Sequence, residues 1–157
     1  MQPEMLIKLV VLLPLIGAAI NGLGGLFVPA LRNKEGLIGM IGTIMVLLPF
    51  LITVYLFIGF QGDAIISNAF TWMAAGDLTI GFDYRIDELS LLMTMIVTGV
   101  GSLIHLYSAG YMHGDDGYWR FFAYLNLFIF AMLNLVLGNN LVVLFLGWEG
   151  VGLCSYL

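Results

Sequence analysis

Charged side chains are so widely spaced in this sequence that they divide it into long apolar stretches. Four of these stretches, each 23 to 28 residues long, are 9–31, 36–62, 89–114 and 121–148. A helix crosses the hydrocarbon core of a bilayer with about 20 residues, so the first three predict one membrane span each. The fourth contains the turn-forming run Gly138-Asn139-Asn140, which predicts the end of a fourth helix and the start of a fifth.

The overall composition excludes a soluble domain. Hydrophobic residues make up 61% of the 157 residues and charged residues 10%, against about 45–50% and about 25% in soluble proteins. The net charge of −5 argues against nucleic acid as a partner. A single cysteine, Cys154, excludes an intrachain disulfide framework and a cysteine-built metal site. Because the apolar runs are continuous rather than alternating, we predict an all-α, polytopic transmembrane helix bundle and not a β-barrel.

The boundaries of the predicted helices follow from these stretches. The five helices cover 5–31, 37–60, 89–112, 119–137 and 140–157, and the one long loop covers 61–88. Short β-prone runs in this loop, two of them separated by Gly76-Asp77, predict a short external β-hairpin; an irregular loop with interfacial aromatic residues is the alternative. Lysine and arginine are slightly more frequent in the first and third loops than on the opposite side, which predicts that those loops are cytoplasmic and the long loop external.

Glu149 is an ionisable residue that falls inside a predicted span rather than at its end. It lies about ten residues into the fifth helix, or about 15 Å along the axis, close to the bilayer midplane. An acidic side chain there costs about 2.5–3.5 kcal/mol and usually faces a polar cavity or a partner cation. Loss of hydration disfavours the ionised form whereas a nearby lysine favours it. We interpret Glu149 as an intramembrane proton relay; the alternative is a fixed hydrogen bond that locks two helices.

Other polar and small residues carry weaker signals. Gly147, Gly150 and Cys154 form a small-residue stripe beside the glutamate, which favours the close approach of another helix. His105, late in the third span, is either a member of a proton path or, as is more common, a neutral histidine bonded to a neighbouring helix. The turn that contains Asp115 has no metal-ligand spacing. No metal site and no cofactor-binding residue are predicted.

Four segments carry a specific resemblance to a known family. They are Asp87-Glu88-Leu89-Ser90, His105-Leu106-Tyr107-Ser108-Ala109-Gly110-Tyr111-Met112, Arg120-Phe121-Phe122-Ala123-Tyr124-Leu125-Asn126-Leu127-Phe128 and Gly147-Trp148-Glu149-Gly150-Val151-Gly152-Leu153-Cys154-Ser155-Tyr156-Leu157. On these motifs the chain resembles the antiporter-like subunit L family of respiratory complex I, the NADH:quinone oxidoreductase. The resemblance implies that 1–157 is the N-terminal part of an integral membrane subunit at the far end of the membrane arm.

The resemblance also implies a role and partners. In this family the glutamate of the Trp-Glu-Gly motif, which corresponds to Glu149, is the intramembrane proton-relay carboxylate, and its lysine partner lies on a later helix. The implied function is proton translocation coupled to electron transfer from NADH to quinone in the respiratory chain. FMN, iron–sulfur clusters and NADH are expected on other subunits, quinone elsewhere in the complex, and no cofactor in this chain. The implied location is the bacterial cytoplasmic (inner) membrane, with the lipid bilayer and other membrane-arm subunits as partners.

Two alternatives stay open at this point. The large subunit of a multisubunit Na⁺/H⁺ antiporter shares the intramembrane glutamate, although the run Gly150-Val151-Gly152 favours the complex I subunit. Family members are several times longer, so the chain corresponds to about their first quarter and its last helix is expected to be truncated. A fragment with only a structural role, or with none, is therefore the second alternative.

Overall fold

The computed structural model describes residues 3–157. The elements in chain order are α1 (Pro3–Phe27), α2 (Pro29–Arg32), α3 (Glu35–Gly59), β1 (Ile65–Ala75), β2 (Leu78–Ile86), α4 (Glu88–Tyr111), α5 (Tyr118–Leu137) and α6 (Leu141–Tyr156). Within the described residues, α1, α3, α4 and α5 are long and apolar enough to cross a membrane, and α6 is a shorter apolar helix. The predicted fold class, an all-α bundle with a β-hairpin, is confirmed.

The first predicted helix, 5–31, is divided in the structure. Helix α1 ends one residue before Val28, which leaves the helical conformation with φ of −122° and ψ of 86° before α2 begins at Pro29. A proline ring crowds the preceding residue and disfavours helical geometry there, which explains why the break falls at this position. The side chain of Arg32 then folds back, and its Nε donates a hydrogen bond of 2.6 Å to the carbonyl oxygen of Gly25 in the last turn of α1.

Helix α5 is central in the bundle, since it packs against α1, α3, α4 and α6. Glycines allow two of these neighbours to come close. A Cβ atom added at Gly25 of α1 would overlap the indole ring of Trp119, and one added at Gly42 of α3 would lie 2.6 Å from the ring of Phe122. Small residues in membrane helices permit this close packing, as the glycines of the first span predicted.

The hairpin formed by β1 and β2 covers one end of the bundle. Its chain reverses at Gly76, which has a φ of 58° that favours glycine. The second strand is joined to the turn between α5 and α6. The backbone N–H of Asn139 donates to the carbonyl oxygen of Asp83 at 2.9 Å, and Nδ2 of Asn140 donates to the carbonyl oxygen of Gly81 at 2.8 Å. The hairpin therefore contacts the bundle where α6 begins.

Candidate functional site

Glu149 lies in the middle of α6. It follows Leu141, the first residue of that helix, by eight positions, or about 12 Å along the axis. Its side chain is exposed, and within residues 3–157 its carboxylate makes no hydrogen bond and no ion pair. Phe145 and Gly152, which lie one turn before and one turn after on the same helix face, are exposed as well. The carboxylate thus lies on an otherwise apolar helix face that the described residues do not cover.

The small-residue stripe of α6 is occupied by α5. A Cβ atom added at Gly147 would overlap the backbone of Leu135, and one added at Gly150 would lie 2.9 Å from the Cβ atom of Ala131. Glu149 follows Gly147 by two positions, a rotation of about 200° around the helix, and so points away from this contact. The stripe admits a neighbouring helix of the same chain, while the glutamate lies on a different surface.

The inner face of α4 carries polar side chains near both of its ends and between them. Its buried hydroxyl and imidazole side chains, called here the polar row of α4, are Ser90, Thr94, Thr98, Ser102, His105 and Ser108. The outer face of the same helix exposes large apolar side chains. Ser90 and Ser108 are 18 positions apart, or about 27 Å along the axis, close to the thickness of about 30 Å of the hydrocarbon core. The polar row of α4 therefore extends through the bundle over nearly the full depth of a membrane.

His105 is fully buried and connects α4 to α5. Its Nδ1 lies 2.7 Å from the carbonyl oxygen of Gly101, and its Nε2 lies 3.0 Å from the amide nitrogen Nδ2 of Asn126. A carbonyl oxygen only accepts hydrogen bonds, so Nδ1 carries the ring proton and Nε2 accepts the bond that Asn126 donates. Both nitrogens of the imidazole are bonded in this arrangement. The expectation that His105 bonds to a neighbouring helix is confirmed by this geometry.

Two buried asparagines complete a junction of α1, α3, α4 and α5, called here the four-helix junction: Asn21, Gly42, His105 and Asn126. Nδ2 of Asn126 also donates to the carbonyl oxygen of Gly42 at 3.3 Å, and Nδ2 of Asn21 donates to the carbonyl oxygen of Ile38 at 3.2 Å. A Cβ atom added at Gly42 would lie 3.2 Å and 3.4 Å from these two nitrogens, so both amides adjoin one glycine. Within the described residues, the Oδ1 atom of each asparagine is buried without a hydrogen-bond partner.

The turn between α4 and α5 holds an exposed histidine and a carboxylate. Nδ1 of His113 lies 2.7 Å from a carboxylate oxygen of Glu35 at the start of α3, and the backbone N–H of Gly117 donates to Asp115. Across the part of the chain that the structure describes, no three His, Cys, Asp or Glu side chains are grouped closely enough to hold a metal ion. Cys154 is a free thiol.

Sequence reasoning missed the polar row of α4 and named no partner for His105. A signal was present, because hydroxyl residues recur every four positions from Ser90 to Ser102 and thus lie on one helix face. Counting charges does not detect this pattern, since serine and threonine are uncharged. The structure does not bring His105 and Glu149 together: α6 packs on α5 and the hairpin, whereas the imidazole reaches α5 from α4.

Comparisons with known proteins match this chain to one family. The family described as NADH-ubiquinone oxidoreductase (complex I), chain 5 N-terminus, matches residues 72–122. Subunit L of NADH-quinone oxidoreductase from Escherichia coli (strain K12) is 46% identical over 155 residues, which cover 97% of this chain and 24% of that protein. The same subunit from Pseudomonas aeruginosa is 58% identical over 97 residues, which cover 62% of this chain and 16% of that protein.

Solved structures share the fold. A chain of the Mrp complex from Dietzia sp. DQ12-45-1b superposes with a TM-score of 0.73 at 27% identity, covering 96% of this chain and 15% of that chain. A chain of the membrane-bound sulfane sulfur reductase, an archaeal respiratory membrane complex, superposes with a TM-score of 0.71 at 24% identity, covering 94% of this chain and 22% of that chain. The second match concerns the fold alone.

The fold is shared with chains of the Mrp complex and of an archaeal respiratory membrane complex, and its polar groups face inward. Among proteins with this fold, the resemblance predicted from the four motifs is confirmed: the chain is homologous to subunit L of NADH-quinone oxidoreductase. It spans about a quarter of the length of the Escherichia coli relative, 24%. The chain is a multi-pass membrane protein, and its bacterial relatives indicate the inner membrane.

Proposed function

We propose that this chain forms part of the membrane arm of a proton-pumping NADH:quinone oxidoreductase, with Glu149 as an intramembrane proton relay. The protein then takes part in proton translocation coupled to electron transfer from NADH to quinone. The observation that carries the proposal is the position of Glu149 midway along an apolar helix, on a face turned away from α5. The names of the relatives, subunits of NADH-quinone oxidoreductase, support the choice of complex.

The chemistry of this position follows from the cost of a carboxylate in hydrocarbon. An acidic side chain at the centre of a membrane helix costs about 2.5–3.5 kcal/mol unless a polar cavity or a cation compensates it. Such a group holds its proton when the cation is distant and releases it when the cation approaches. A change in the separation of the two charges therefore moves a proton on or off Glu149, which is the elementary step of a relay.

The cation comes from outside the described residues in this proposal. The five lysines and arginines of the chain are Lys8, Arg32, Lys34, Arg85 and Arg120, and none forms an ion pair with Glu149. Because the chain covers 24% of the Escherichia coli relative, we place the partner lysine in the larger part of the protein. Other membrane-arm subunits and the lipid bilayer are the proposed partners, and FMN, iron–sulfur clusters, NADH and quinone are assigned to other subunits.

The test is the substitution Glu149→Gln in the full-length protein within the assembled complex. Glutamine keeps the size and the hydrogen-bonding capacity of the side chain but cannot release a proton. We expect normal assembly and fewer protons pumped per NADH oxidised, measured in sealed vesicles. Glu88→Gln is the matched control, because Glu88 is an exposed residue in the first turn of α4. Wild-type pumping by an assembled Glu149→Gln variant would remove Glu149 from the proposed role.

A second candidate function is that of a large subunit of a multisubunit Na⁺/H⁺ antiporter. The structural match to the Mrp complex, with a TM-score of 0.73 over 96% of the chain, favours it. The two functions differ in their energy source. Proton uptake that depends on NADH oxidation supports the oxidoreductase, whereas exchange driven by a sodium gradient without NADH supports the antiporter.

A further inference from the structure

We propose that the polar row of α4 and the four-helix junction form a second proton-handling site, in which His105 accepts the proton and Asn126 reorients to accommodate it. This inference rests on the proposed function in proton translocation. It concerns a site on α4 and α5 that is separate from Glu149 on α6. The ligand is a proton delivered by water, and no metal or organic cofactor is involved.

The amide of Asn126 can serve both protonation states of His105. In the neutral state, Nδ2 of Asn126 donates to Nε2 of His105 and to the carbonyl oxygen of Gly42. When Nε2 gains a proton it becomes a donor, and a half-turn of the amide presents Oδ1 as the acceptor. The carbonyl oxygen of Gly42 loses only its second partner, because it lies inside α3 and keeps the bond from its own helix. The half-turn therefore keeps the bond between Asn126 and His105 and loses one bond, the one to the carbonyl oxygen of Gly42.

The unpartnered amide oxygens are the atoms to which a water molecule would donate at this junction. A buried polar atom without a partner costs about 1–3 kcal/mol, and buried waters typically bind such atoms with about three hydrogen bonds. Oδ1 of Asn21 and Oδ1 of Asn126 are both buried and unpartnered within the described residues. A water molecule there has two O–H groups to donate. The lone pair of Nε2 accepts the bond from Asn126 in the neutral state, so the amide must turn away first; a hydronium ion then transfers one proton to Nε2 and remains as water, and the reverse step regenerates hydronium.

The rest of the polar row extends this site along α4. Its hydroxyl groups are held in place by their own helix: Thr98 donates to the carbonyl oxygen of Thr94 at 2.6 Å, and Ser102 donates to that of Gly99 at 2.7 Å. Each such hydroxyl keeps lone pairs that can accept a hydrogen bond from water. The hydroxyl of Thr94 is itself buried without a partner in the described part of the chain. Polar atoms that need water thus occur at the junction and further along the row.

Within residues 3–157, no ionised side chain contacts His105. Its described contacts are the carbonyl oxygen of Gly101, the amide of Asn126 and the ring of Phe122, and none of these groups ionises. The other titratable side chains on or beside the packed helices make no hydrogen bond to the imidazole in the described part of the chain. They are Glu4, Lys8 and Arg32 on or after α1, Glu35 and Tyr55 on α3, Glu88, Tyr107 and Tyr111 on α4, and Tyr118, Arg120 and Tyr124 on α5. Proton binding is therefore stabilised by oxygen dipoles and is reversible, since no carboxylate traps the charge.

The competing role for His105 is a lock, that is, a permanent hydrogen bond to Asn126 that holds α4 and α5 together. This role makes a different prediction. A lock needs a neutral acceptor for the N–H of Asn126, which glutamine at position 105 supplies. Proton handling needs a group that titrates, which glutamine lacks. The substitution His105→Gln in the assembled, full-length complex therefore separates the two roles. His113→Gln is the matched control, because that histidine is exposed in the turn between α4 and α5.

The expected result for His105→Gln is normal assembly with a loss of protons pumped per NADH oxidised, while His113→Gln pumps at the wild-type level. Normal pumping by assembled His105→Gln overturns the inference. If Glu149→Gln still pumps poorly in that case, the proposed function stands; if both variants pump normally, both proposals fail. Should His105→Gln not assemble, Asn21→Leu decides, because it removes one water-binding oxygen without touching His105. Reduced pumping by Asn21→Leu supports the site, and unchanged pumping overturns it.

Discussion

The hydroxyl of Tyr84 donates a hydrogen bond of 2.9 Å to Oδ1 of Asn134, and this bond joins the hairpin to the buried end of α5. Nδ2 of the same asparagine donates to the carbonyl oxygen of Phe130 in its own helix at 2.8 Å. Burial raises the pKa of the Tyr84 hydroxyl well above its ordinary value. The phenol therefore stays protonated, and the hydrogen bond persists over the whole physiological pH range.

Loss of this hydroxyl is expected to loosen the hairpin. Tyr84→Phe leaves Oδ1 of Asn134 buried without a donor, which costs about 1–3 kcal/mol of stability. We expect a lower thermal denaturation midpoint for the purified full-length protein and faster proteolysis in the hairpin. In a double-mutant cycle, Asn134→Leu combined with Tyr84→Phe should cost less than the sum of the two single changes. Strict additivity would contradict a direct bond between the two side chains.

Asn140 is expected to stabilise the start of α6 and the attachment of the hairpin together. Its Oδ1 accepts hydrogen bonds from the backbone N–H groups of Val142 and Val143, and its Nδ2 donates to the hairpin. Replacement of an N-cap asparagine by alanine costs about 0.5–2 kcal/mol, and loss of the hairpin bond adds to this. Asn139→Ala is the control, because Asn139 contacts the hairpin through its backbone N–H. Equal midpoints for Asn140→Ala and Asn139→Ala would show that the cap contributes nothing.

The contact between α5 and α6 is expected to tolerate no side chain at Gly147. A Cβ atom there overlaps the backbone of Leu135, and backbone cannot give way as a flexible side chain can. Overpacking of this kind costs about 1–3 kcal/mol, so Gly147→Ala should reduce the amount of assembled protein in the membrane. Gly36→Ala should be neutral, since nothing lies within 4 Å of its added Cβ atom in the described chain. Quantitative immunoblotting of membranes compares the two, and equal amounts would refute the packing role of Gly147.

Asp87 is expected to make the stability of the start of α4 depend on acidic pH. The backbone N–H of Ser90 donates to the Asp87 carboxylate at 2.9 Å and holds the pKa of that carboxyl below its ordinary value. Since the unfolded pKa is about 3.9, the stabilisation is complete above that value and is lost as the pH falls through the lower folded pKa. Asp87→Asn keeps a capping side chain but does not titrate. The denaturation midpoint of the wild type should fall relative to that of Asp87→Asn below about pH 3.9, and parallel curves would contradict the prediction.

Charge spacing and turn chemistry predicted the helices because the membrane imposes them. A chain that exposes no charge for more than 20 residues has few ways to satisfy its backbone in lipid other than a helix. The break at Val28 was also readable, since Pro29 follows it. The predicted helix 5–31 therefore differs from the structure near its end for a local reason, the steric effect of Pro29 on Val28.

The candidate sites were less predictable because they depend on which helices meet. The stripe of Gly147 and Gly150 was visible in the sequence, but its partner, α5, was not. The bond between His105 and Asn126 joins two helices 21 positions apart, and helical periodicity alone does not give their relative rotation. Glu149 is a candidate from the sequence alone because one charge in a span is conspicuous. The polar row of α4 was missed because each of its hydroxyls is unremarkable alone.

Helix α4 shows that hydrophobicity does not decide which side chains face the interior of a protein in a lipid bilayer. Apart from the buried Leu91, its leucines and isoleucines face outward, where acyl chains solvate them as well as a protein interior does, and its small hydroxyl side chains face its neighbours. The volume of the side chains, rather than their hydrophobicity, therefore decides which side of this helix they occupy. A redesign that replaced the inward serines with leucine would insert into a bilayer more readily and yet push the helices apart.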